Sequence, residues 1–147
     1  EDTHPDGGAA GHGAVKLLGS LPHEALMQRF ETARIFAHPA RYEPFGLTPL
    51  EAALRGCALV LGDIDTLREL WDGAAVFVDP DDPDALVDGL TAVIERREMR
   101  ERLQHRARER ARDFGLGAMV TAYQETYDSL ISQDRRGAMS RAEGGVA

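Results

Sequence analysis

The sequence predicts an α/β domain built on a parallel β-sheet. Short apolar runs alternate with segments of helical periodicity along most of the chain, an order that favours parallel strands joined by right-handed crossovers. The clearest run, CALVLGD at 57–63, carries no charge before its last residue. Such a run is typical of a strand in a sheet that is covered on both faces.

The other strands are predicted at 15–19, 34–39 and 74–79, where apolar runs end at a Gly, a Pro and an Asp respectively. Between and after them, helices are predicted from apolar spacing and end signals. Their ranges are 22–33, 48–55 (stopped by Gly56) and 66–71, with a fourth that follows the turn DPDDPDAL and ends near Arg96. The loops 40–47 and 63–66 should then share one sheet edge, where open α/β sheets bind ligands.

Two amphipathic helices are predicted at 97–114 and 117–131, to pack back across the sheet or onto a missing partner. Residues 1–14 show no periodicity and are interpreted as a flexible leader or truncated start. Residues 133–147 are small and polar, which predicts a disordered tail. The domain is therefore assigned to 15–132.

Bulk composition narrows the classes of function. The net charge of −8 argues against a protein that binds nucleic acids or anionic membranes in general, because such proteins usually carry a net positive charge. No apolar run approaches a membrane span, and the start lacks the features of a signal peptide. The single Cys57 suits a reducing compartment, so a cytoplasmic location is expected. The chain does not begin with Met, which is compatible with a piece of a longer protein.

The stretch YEPFGLTPLEAA at 42–53 holds the candidate site. The N-terminus of a helix offers free N–H groups and a partial positive charge, both of which favour phosphate. Glycine lets a ligand approach the backbone closely. The amides of Gly46, Leu47 and Thr48 are therefore predicted to hold a diphosphate without a lysine.

Two carboxylates flank this predicted cradle. Glu51 follows about one helical turn later and could accept hydrogen bonds from the two ribose hydroxyls, as acidic residues do in dinucleotide sites. Glu43 precedes the cradle, where a group attached to the diphosphate would project. A ligand-free alternative also fits, since Thr48, Pro49 and Glu51 match the N-cap, N1 and N3 positions of a capping box.

The stretch from ARIFAHPARYEPFG to DALVDGLTAVI, at 33–94, resembles the nucleotide-sugar-binding, C-terminal half of retaining glycosyltransferases of the GT-B fold, family 4 type. The resemblance covers about 15–131. It rests on an ordered set of marks: Glu43 and Glu51 at E-x7-E spacing, Gly56 before an apolar strand, the LREL helix, and the DPDDPDAL helix entry. It implies a Rossmann-like sheet with flanking helices and additional C-terminal helices.

The resemblance also implies roles for individual residues. Glu51 would bind the ribose, and Glu43 would lie beside the donor sugar and act in catalysis, either as nucleophile or as stabiliser of an oxocarbenium-like path. The nucleobase would meet the loop at Leu21. The pyrophosphate would be held by the segment that comprises Phe45, Gly46, Leu47 and Thr48. No metal cofactor is implied.

Three departures from the family pattern stand out. Pro44 replaces a frequent Gly and removes an amide donor, and Ala40 replaces a frequent Ser. Residues 1–14 contain neither Arg nor Lys, although in the family a basic pair there neutralises the diphosphate.

The resemblance also implies an N-terminal domain that binds most of the surface of the acceptor (a glycan, lipid or small molecule), and this domain is missing. The isolated half should therefore bind the donor weakly and not turn over.

The function expected is transfer of a sugar from a nucleotide-diphosphate sugar to an acceptor, with retention of configuration. The full-length enzyme could associate peripherally with a membrane. Two alternatives stay open. One is another GT-B enzyme, such as a sugar-nucleotide epimerase or a phosphorylase. The other is a non-catalytic α/β binding module whose carboxylates only cap helices.

Three remaining features receive structural interpretations. The Arg-rich stretch 96–112 alternates with Glu and is interpreted as an amphipathic surface helix with i,i+4 ion pairs. His38 closes a strand without a metal-spaced partner and is interpreted as structural. Trp71, at the end of a short helix, is predicted to pack in the core rather than to stack on a sugar.

Overall fold

The computed structural model describes residues 15–143. The leader predicted at 1–14 and the last four positions, 144–147, lie outside the described residues. In this part of the chain the elements follow one another as α1 (His23–Thr32), β1 (Ile35–His38), α2 (Leu47–Leu54), β2 (Ala58–Gly62), α3 (Asp65–Trp71), β3 (Ala75–Val78), α4 (Pro83–Glu95), α5 (Arg97–Arg112) and α6 (Leu116–Glu143).

The three strands form one parallel sheet in the order β1-β2-β3. The central strand β2 pairs Ala58 with Ile35 of β1 and Leu59 with Ala75 of β3. Every residue of β2 is buried, because helices cover both faces of the sheet. The predicted α/β class, with a parallel sheet and flanking helices, is confirmed.

Alternate residues of β2 belong to two separate cores. Leu59 and Leu61 pack with residues of α1, α2 and α3 on one face, whereas Ala58 and Val60 pack with residues of α4 on the other. Helix α5 contributes to both, with Leu103 in the second core and Ala107 in the first. The strand period of two therefore divides one apolar run between two layers of helices.

The strand predicted at 15–19 is wrong. These residues are irregular in the structure, and Val15, Leu17 and Leu18 are exposed. Gly19 follows in a left-handed conformation, at φ 64°. An apolar run becomes a strand only where a neighbouring strand accepts and donates its backbone hydrogen bonds, and among the described residues 15–19 pair with no strand of the sheet.

Helix α6 differs from the sequence prediction in length and packing. It extends to Glu143, past the boundary at 132 that the sequence analysis sets for the ordered domain. Its predicted apolar stripe does not pack back across the sheet, because the side chains along it are all exposed. These are Val120, Tyr123, Tyr127, Leu130 and Ile131. None of the helices that the structure describes is both long and apolar enough to span a membrane.

The turn that leads into α4 confirms the cap predicted from DPDDPDAL. The Asp79 carboxylate accepts a hydrogen bond from the Asp81 amide at 2.9 Å. The Asp82 carboxylate accepts from the amides of Asp84 and Ala85 at 2.9 and 3.3 Å. Both acids thus satisfy backbone donors at the start of a helix, as short acidic side chains do at turns and N-caps.

Arginines of α5 donate to carbonyl oxygens at the ends of neighbouring helices. Arg110 Nε donates to the Leu70 carbonyl oxygen at 2.8 Å. The exposed side of α5 carries i,i+4 pairs, such as Arg97 with Glu101 at 2.7 Å. The prediction of an amphipathic surface helix is confirmed. In addition, its arginines donate hydrogen bonds to carbonyl oxygens at the ends of other helices.

Arg100 is the buried member of this set, at 9% exposure. One of its terminal nitrogens donates to the carbonyl oxygens of Val93 at 3.0 Å and Ile94 at 2.7 Å, in the last turn of α4. Arg100→Met keeps the aliphatic stem and leaves both carbonyls without this donor, so it should lower the free energy of unfolding by roughly 1–3 kcal/mol. Urea denaturation followed by circular dichroism measures the change.

The matched control is Arg102→Met on the same helix. The Arg102 side chain is 64% exposed and lies 3.9 Å from a Glu98 carboxylate oxygen, a surface pair of small value. This variant should stay within about 0.5 kcal/mol of the wild type. Equal losses in the two variants would contradict the role given to the Arg100 hydrogen bonds.

Candidate functional site

The candidate site lies at the edge of the sheet where the parallel strands end, beside the loop 39–46. That loop crosses closely over the end of β2. A Cβ atom at Gly62 would lie 2.3 Å from the Ala40 carbonyl oxygen, so only glycine fits there. On the other side, the Thr66 hydroxyl donates to the Glu43 carbonyl oxygen at 2.7 Å. The backbone on both sides of the loop is therefore fixed against β2 and α3.

Helix α2 begins directly after a left-handed turn at Gly46, at φ 83°. A Cβ atom there would also lie 3.3 Å from Pro49 Cγ and 3.4 Å from a Leu67 methyl carbon. A side chain at this position would therefore be strained in backbone conformation and crowded by its neighbours. Glycine is what allows the chain to enter α2 at this angle.

The capping-box alternative is wrong. The N-cap residue is Gly46, and α2 has no side-chain capping bond at that residue. Thr48 lies inside the helix, one residue after its start at Leu47, so Glu51 is too far along to occupy the N3 position. The sequence pattern fits a box, but the turn at Gly46 starts the helix earlier than the box requires.

Glu43 is held at the start of α2 through both of its carboxylate oxygens. Oε1 accepts from the Gly46 amide at 2.9 Å, and Oε2 lies 3.2 Å from Nε2 of His38, the last residue of β1. The Glu43 side chain is 24% exposed. This acid is ordered and partly buried, and its position at the positive end of a helix dipole is favourable for a carboxylate.

The next two amides of α2 are available to a ligand. Within the described part of the chain, the N–H groups of Leu47 and Thr48 donate to no protein acceptor, and the first helical bond is from the Leu50 amide to the Gly46 carbonyl oxygen at 3.1 Å. The predicted cradle of three amides is thus divided. The Gly46 amide binds Glu43, and the Leu47 and Thr48 amides are the open pair.

Phe45 joins this turn to the core. Its side chain is 42% exposed, and its ring meets the ring of Phe114 edge to face, with the centroids 6.0 Å apart. Phe114 follows α5 and lies 6.3 Å from the indole of Trp71. Trp71 is 1% exposed, which confirms that it packs in the core. These aromatic contacts connect the turn to the core through Phe114 and Trp71.

Glu51 lies on α2 with its side chain 33% exposed. Its Oε1 is 3.9 Å from His23 Nε2 of α1, beyond hydrogen-bonding distance. Its carboxylate is therefore open to hydroxyl donors. Leu21, the predicted nucleobase contact, is half-buried in the segment that leads into α1, and α1 packs against α2.

A second polar cluster occupies the same sheet edge. Asp63 forms a two-point ion pair with Arg68, with Nε to Oδ1 at 2.5 Å and a terminal nitrogen to Oδ2 at 2.7 Å. The hydrogen bonds and charge of Arg68 lower the pKa of Asp63, and Asp63 in turn raises the pKa of Arg68. Arg41 pairs with Asp81 at 2.5 Å across an open cleft of about 360 Å³. Both arginines are thus already paired with carboxylates.

Sequence reasoning missed the contact between His38 and Glu43. In the sequence His38 has no metal-spaced partner, which favours a structural or loop-edge residue. A usable signal existed, because a residue that ends a parallel strand and an acid in the following loop share one sheet edge. Among the residues 15–143, no group of three or more His, Cys, Asp or Glu side chains is placed to hold a metal ion.

Comparison with known proteins gives the family. Residues 10–110 match the family model described as glycosyl transferases group 1. Because the match spans more than half of the chain, the protein belongs to the glycosyl transferases group 1 family. The sequence resemblance to glycosyltransferases agrees with this family membership.

Individual relatives show how much of a protein the chain represents. It is 29% identical over 134 residues to D-inositol 3-phosphate glycosyltransferase of Corynebacterium efficiens, which covers 90% of this chain and 32% of that protein. It is 32% identical over 117 residues to glycogen synthase of Mycobacterium tuberculosis, which covers 78% of this chain and 28% of that protein. The chain therefore spans about a third of the length of these relatives.

A solved structure supports the fold independently. The sucrose-phosphate synthase from Thermosynechococcus elongatus superposes with a TM-score of 0.72 and 24% sequence identity, over 82% of this chain and 31% of the other. At this level of identity the likeness concerns the fold. The arrangement of a parallel sheet with flanking helices is thus shared with an enzyme of known structure.

Proposed function

We propose that this chain is the nucleotide-sugar-binding, C-terminal half of a retaining GT-B glycosyltransferase of the family 4 type. The whole protein would transfer a sugar from a nucleotide-diphosphate sugar to an acceptor. One observation carries the proposal: the start of α2 presents the amides of Leu47 and Thr48, which bind no protein acceptor among the described residues, with Glu43 on one side and Glu51 on the other. Membership in the glycosyl transferases group 1 family supports it.

The diphosphate of the donor would bind at the start of α2. Phosphate oxygens accept hydrogen bonds from N–H groups and gain from the positive end of the helix dipole, so the amides of Leu47 and Thr48 suit them. Glycine at position 46 permits the left-handed turn from which the helix begins at Leu47. In this proposal no metal is required, because the backbone N–H donors and the helix dipole stabilise the negative charge of the diphosphate.

The two acids would act on different parts of the donor. Glu51 carries a partly exposed carboxylate that can accept hydrogen bonds from both ribose hydroxyls. Glu43 would face the anomeric carbon, where positive charge develops as the nucleotide leaves. A fixed carboxylate stabilises that charge, and the same placement serves a nucleophile, so either path to retention uses this residue.

The remaining parts of the proposal concern the whole protein. An acceptor glycan, lipid or small molecule would be bound mainly by an N-terminal domain of the whole protein. We place the enzyme in the cytoplasm, where nucleotide sugars are available, with peripheral association at a membrane as an option for a lipid acceptor. Leu21 would contact the nucleobase.

The first test of function is a melting-temperature panel with UDP, GDP and ADP on the protein with its preceding domain restored. At a hundred times its Kd, a nucleotide stabilises the folded state by about 2.7 kcal/mol. Glu51→Ala should lower nucleotide affinity roughly 10- to 100-fold, because charge-assisted hydrogen bonds to the ribose are lost. Glu43→Ala should retain the shift, since Glu43 faces the sugar.

The control is Glu69→Ala, an exposed helical acid on α3, which should leave the nucleotide-induced shift unchanged. If none of the three nucleotides raises the melting temperature of the wild type, the proposed donor site is wrong. If the full-length protein releases an epimer or a sugar phosphate instead of a transferred sugar, it is a different GT-B enzyme.

A further inference from the structure

We infer that His38 is a positioning residue that fixes the Glu43 carboxylate against the turn at Gly46. The inference rests on the proposed function, since it assigns the orientation of the acid placed there at the anomeric carbon. It depends on one geometric fact: His38 Nε2 lies 3.2 Å from Glu43 Oε2 while the Gly46 amide donates to Oε1 at 2.9 Å. An ionised carboxylate only accepts, so Nε2 carries the hydrogen and donates.

The His38 ring is itself held in place. His38 is the last residue of β1, and its backbone is paired with Leu61 of β2. Its ring stacks on the ring of Phe36, with centroids 6.0 Å apart and an interplanar angle of 19°. Phe36 in turn meets the buried Phe30 of α1 edge to face at 5.4 Å. The donor to Glu43 therefore stands on a packed strand rather than on a mobile loop.

Two anchored oxygens restrict the carboxylate more than one does. With only the Gly46 amide bound, the Glu43 carboxyl group could still pivot about the bonded oxygen. The His38 bond removes that freedom and sets the direction in which the remaining lone pairs point. A displacement of about 1 Å at a reacting group can reduce the rate about 100-fold, so the effect on catalysis should be measurable.

The two informative substitutions separate positioning from packing. His38→Phe preserves an aromatic ring that can stack on Phe36 and removes the donor. His38→Gln gives up the ring and retains an N–H donor of similar reach. If His38 only packs, Phe should be the better replacement. If His38 positions Glu43, Gln should be the better replacement.

The kinetic test uses the protein with its preceding domain restored and measures turnover of UDP-glucose, GDP-mannose and ADP-glucose. His38→Phe is expected to lower kcat roughly 10- to 100-fold and to leave the KM for the donor within about two-fold. His38→Gln should recover most of the loss. In a Glu43→Gln background, adding His38→Phe should change kcat no further, because the carboxylate it orients is gone.

A second readout does not need turnover. In the same protein labelled with 15N-glycine, the Gly46 amide reports the Glu43 bond through its hydrogen-exchange rate. His38→Phe should speed its exchange about ten-fold by releasing the carboxylate, and His38→Gln should leave it close to wild type. An unchanged Gly46 exchange rate in His38→Phe, or a Phe variant that is as active as wild type, overturns the inference.

The two proposals fail in different ways. If the wild type consumes none of the three donors and binds none of the nucleotides, the proposed function fails, while the Gly46 exchange rates still decide whether His38 holds Glu43. If donors are consumed but His38→Phe raises KM and lowers kcat together, and His38→Gln is no better, then His38 supports the loop as a whole and the positioning role is wrong.

Discussion

Trp71→Ala should lower the free energy of unfolding by roughly 3–5 kcal/mol, the range for removing a large aromatic side chain from a core. Trp71 is 1% exposed and belongs to the core that joins α1, α2 and α3 to the sheet. Its neighbours include Leu67 on its own helix and Ala107 on α5. These side chains are held by two helices, α3 and α5, and can close the cavity only in part.

A matched substitution shows whether packing is the cause. The indole Nε1 of Trp71 is buried and makes no hydrogen bond within the described part of the chain. Trp71→Phe therefore removes less volume than Trp71→Ala and breaks no such bond, so it should destabilise by clearly less than the Ala variant does. Because Trp71 is the single tryptophan, urea unfolding has to be followed by circular dichroism. Equal losses in the Phe and Ala variants would contradict the packing explanation.

The same core supports the candidate site. Phe114 lies between Trp71, at 6.3 Å, and Phe45, at 6.0 Å. Phe45 directly precedes the turn at Gly46. Removal of the indole therefore weakens one of the supports that hold this turn in place, in addition to lowering global stability. The stability of the domain and the geometry of the cradle depend on the same side chains.

The fold was predictable where burial leaves a direct pattern in the sequence. The run 57–63 could be recognised as the central strand because both faces of β2 are covered and every position is buried. The run 15–19 is also rich in apolar residues, with Val15, Leu17 and Leu18, yet these side chains are exposed. The composition of a segment indicates whether it could be buried. Whether it becomes a strand depends on a neighbouring strand, which the local sequence does not reveal.

The positions of the candidate site residues in the fold were predictable, and their contacts were less so. Glu43 and Glu51 could be placed beside a helix start from spacing alone. The pattern Thr-Pro-x-Glu also suggested a helix start at Thr48. The structure begins α2 at Leu47 because Gly46 adopts a positive φ and Glu43 bonds its amide. In this bond the Gly46 amide donates to a side chain three residues earlier in the sequence. The capping-box pattern does not include such a bond.

Contacts across the sheet edge were the least accessible to sequence reasoning. The bond from His38 to Glu43 requires the loop 39–46 to fold back over the end of its own strand. The close approach of Ala40 to Gly62 fixes that path. Neither contact follows from periodicity, because both depend on how two consecutive loops pack at one edge.

Glu43→Gln should reduce sugar transfer by roughly 100- to 1,000-fold, the loss that follows removal of one preorganised electrostatic contact to a transition state. The amide side chain has nearly the same shape as the carboxylate. Its oxygen can still accept from the Gly46 amide, and its NH2 group can donate to His38 Nε2 if the imidazole takes the other tautomer. The negative charge is therefore removed while the geometry of the turn is kept.

Nucleotide binding separates this effect from a damaged site. Since the diphosphate would bind the amides of Leu47 and Thr48, Glu43→Gln should keep its affinity for the nucleotide that stabilises the wild type within about three-fold, measured by calorimetry. Glu69→Gln, on the exposed face of α3, should match the wild type in both assays. Turnover above about a tenth of wild type in Glu43→Gln would mean that a charge at this position is not needed, because the amide keeps the size and shape of the Glu43 side chain and removes its charge.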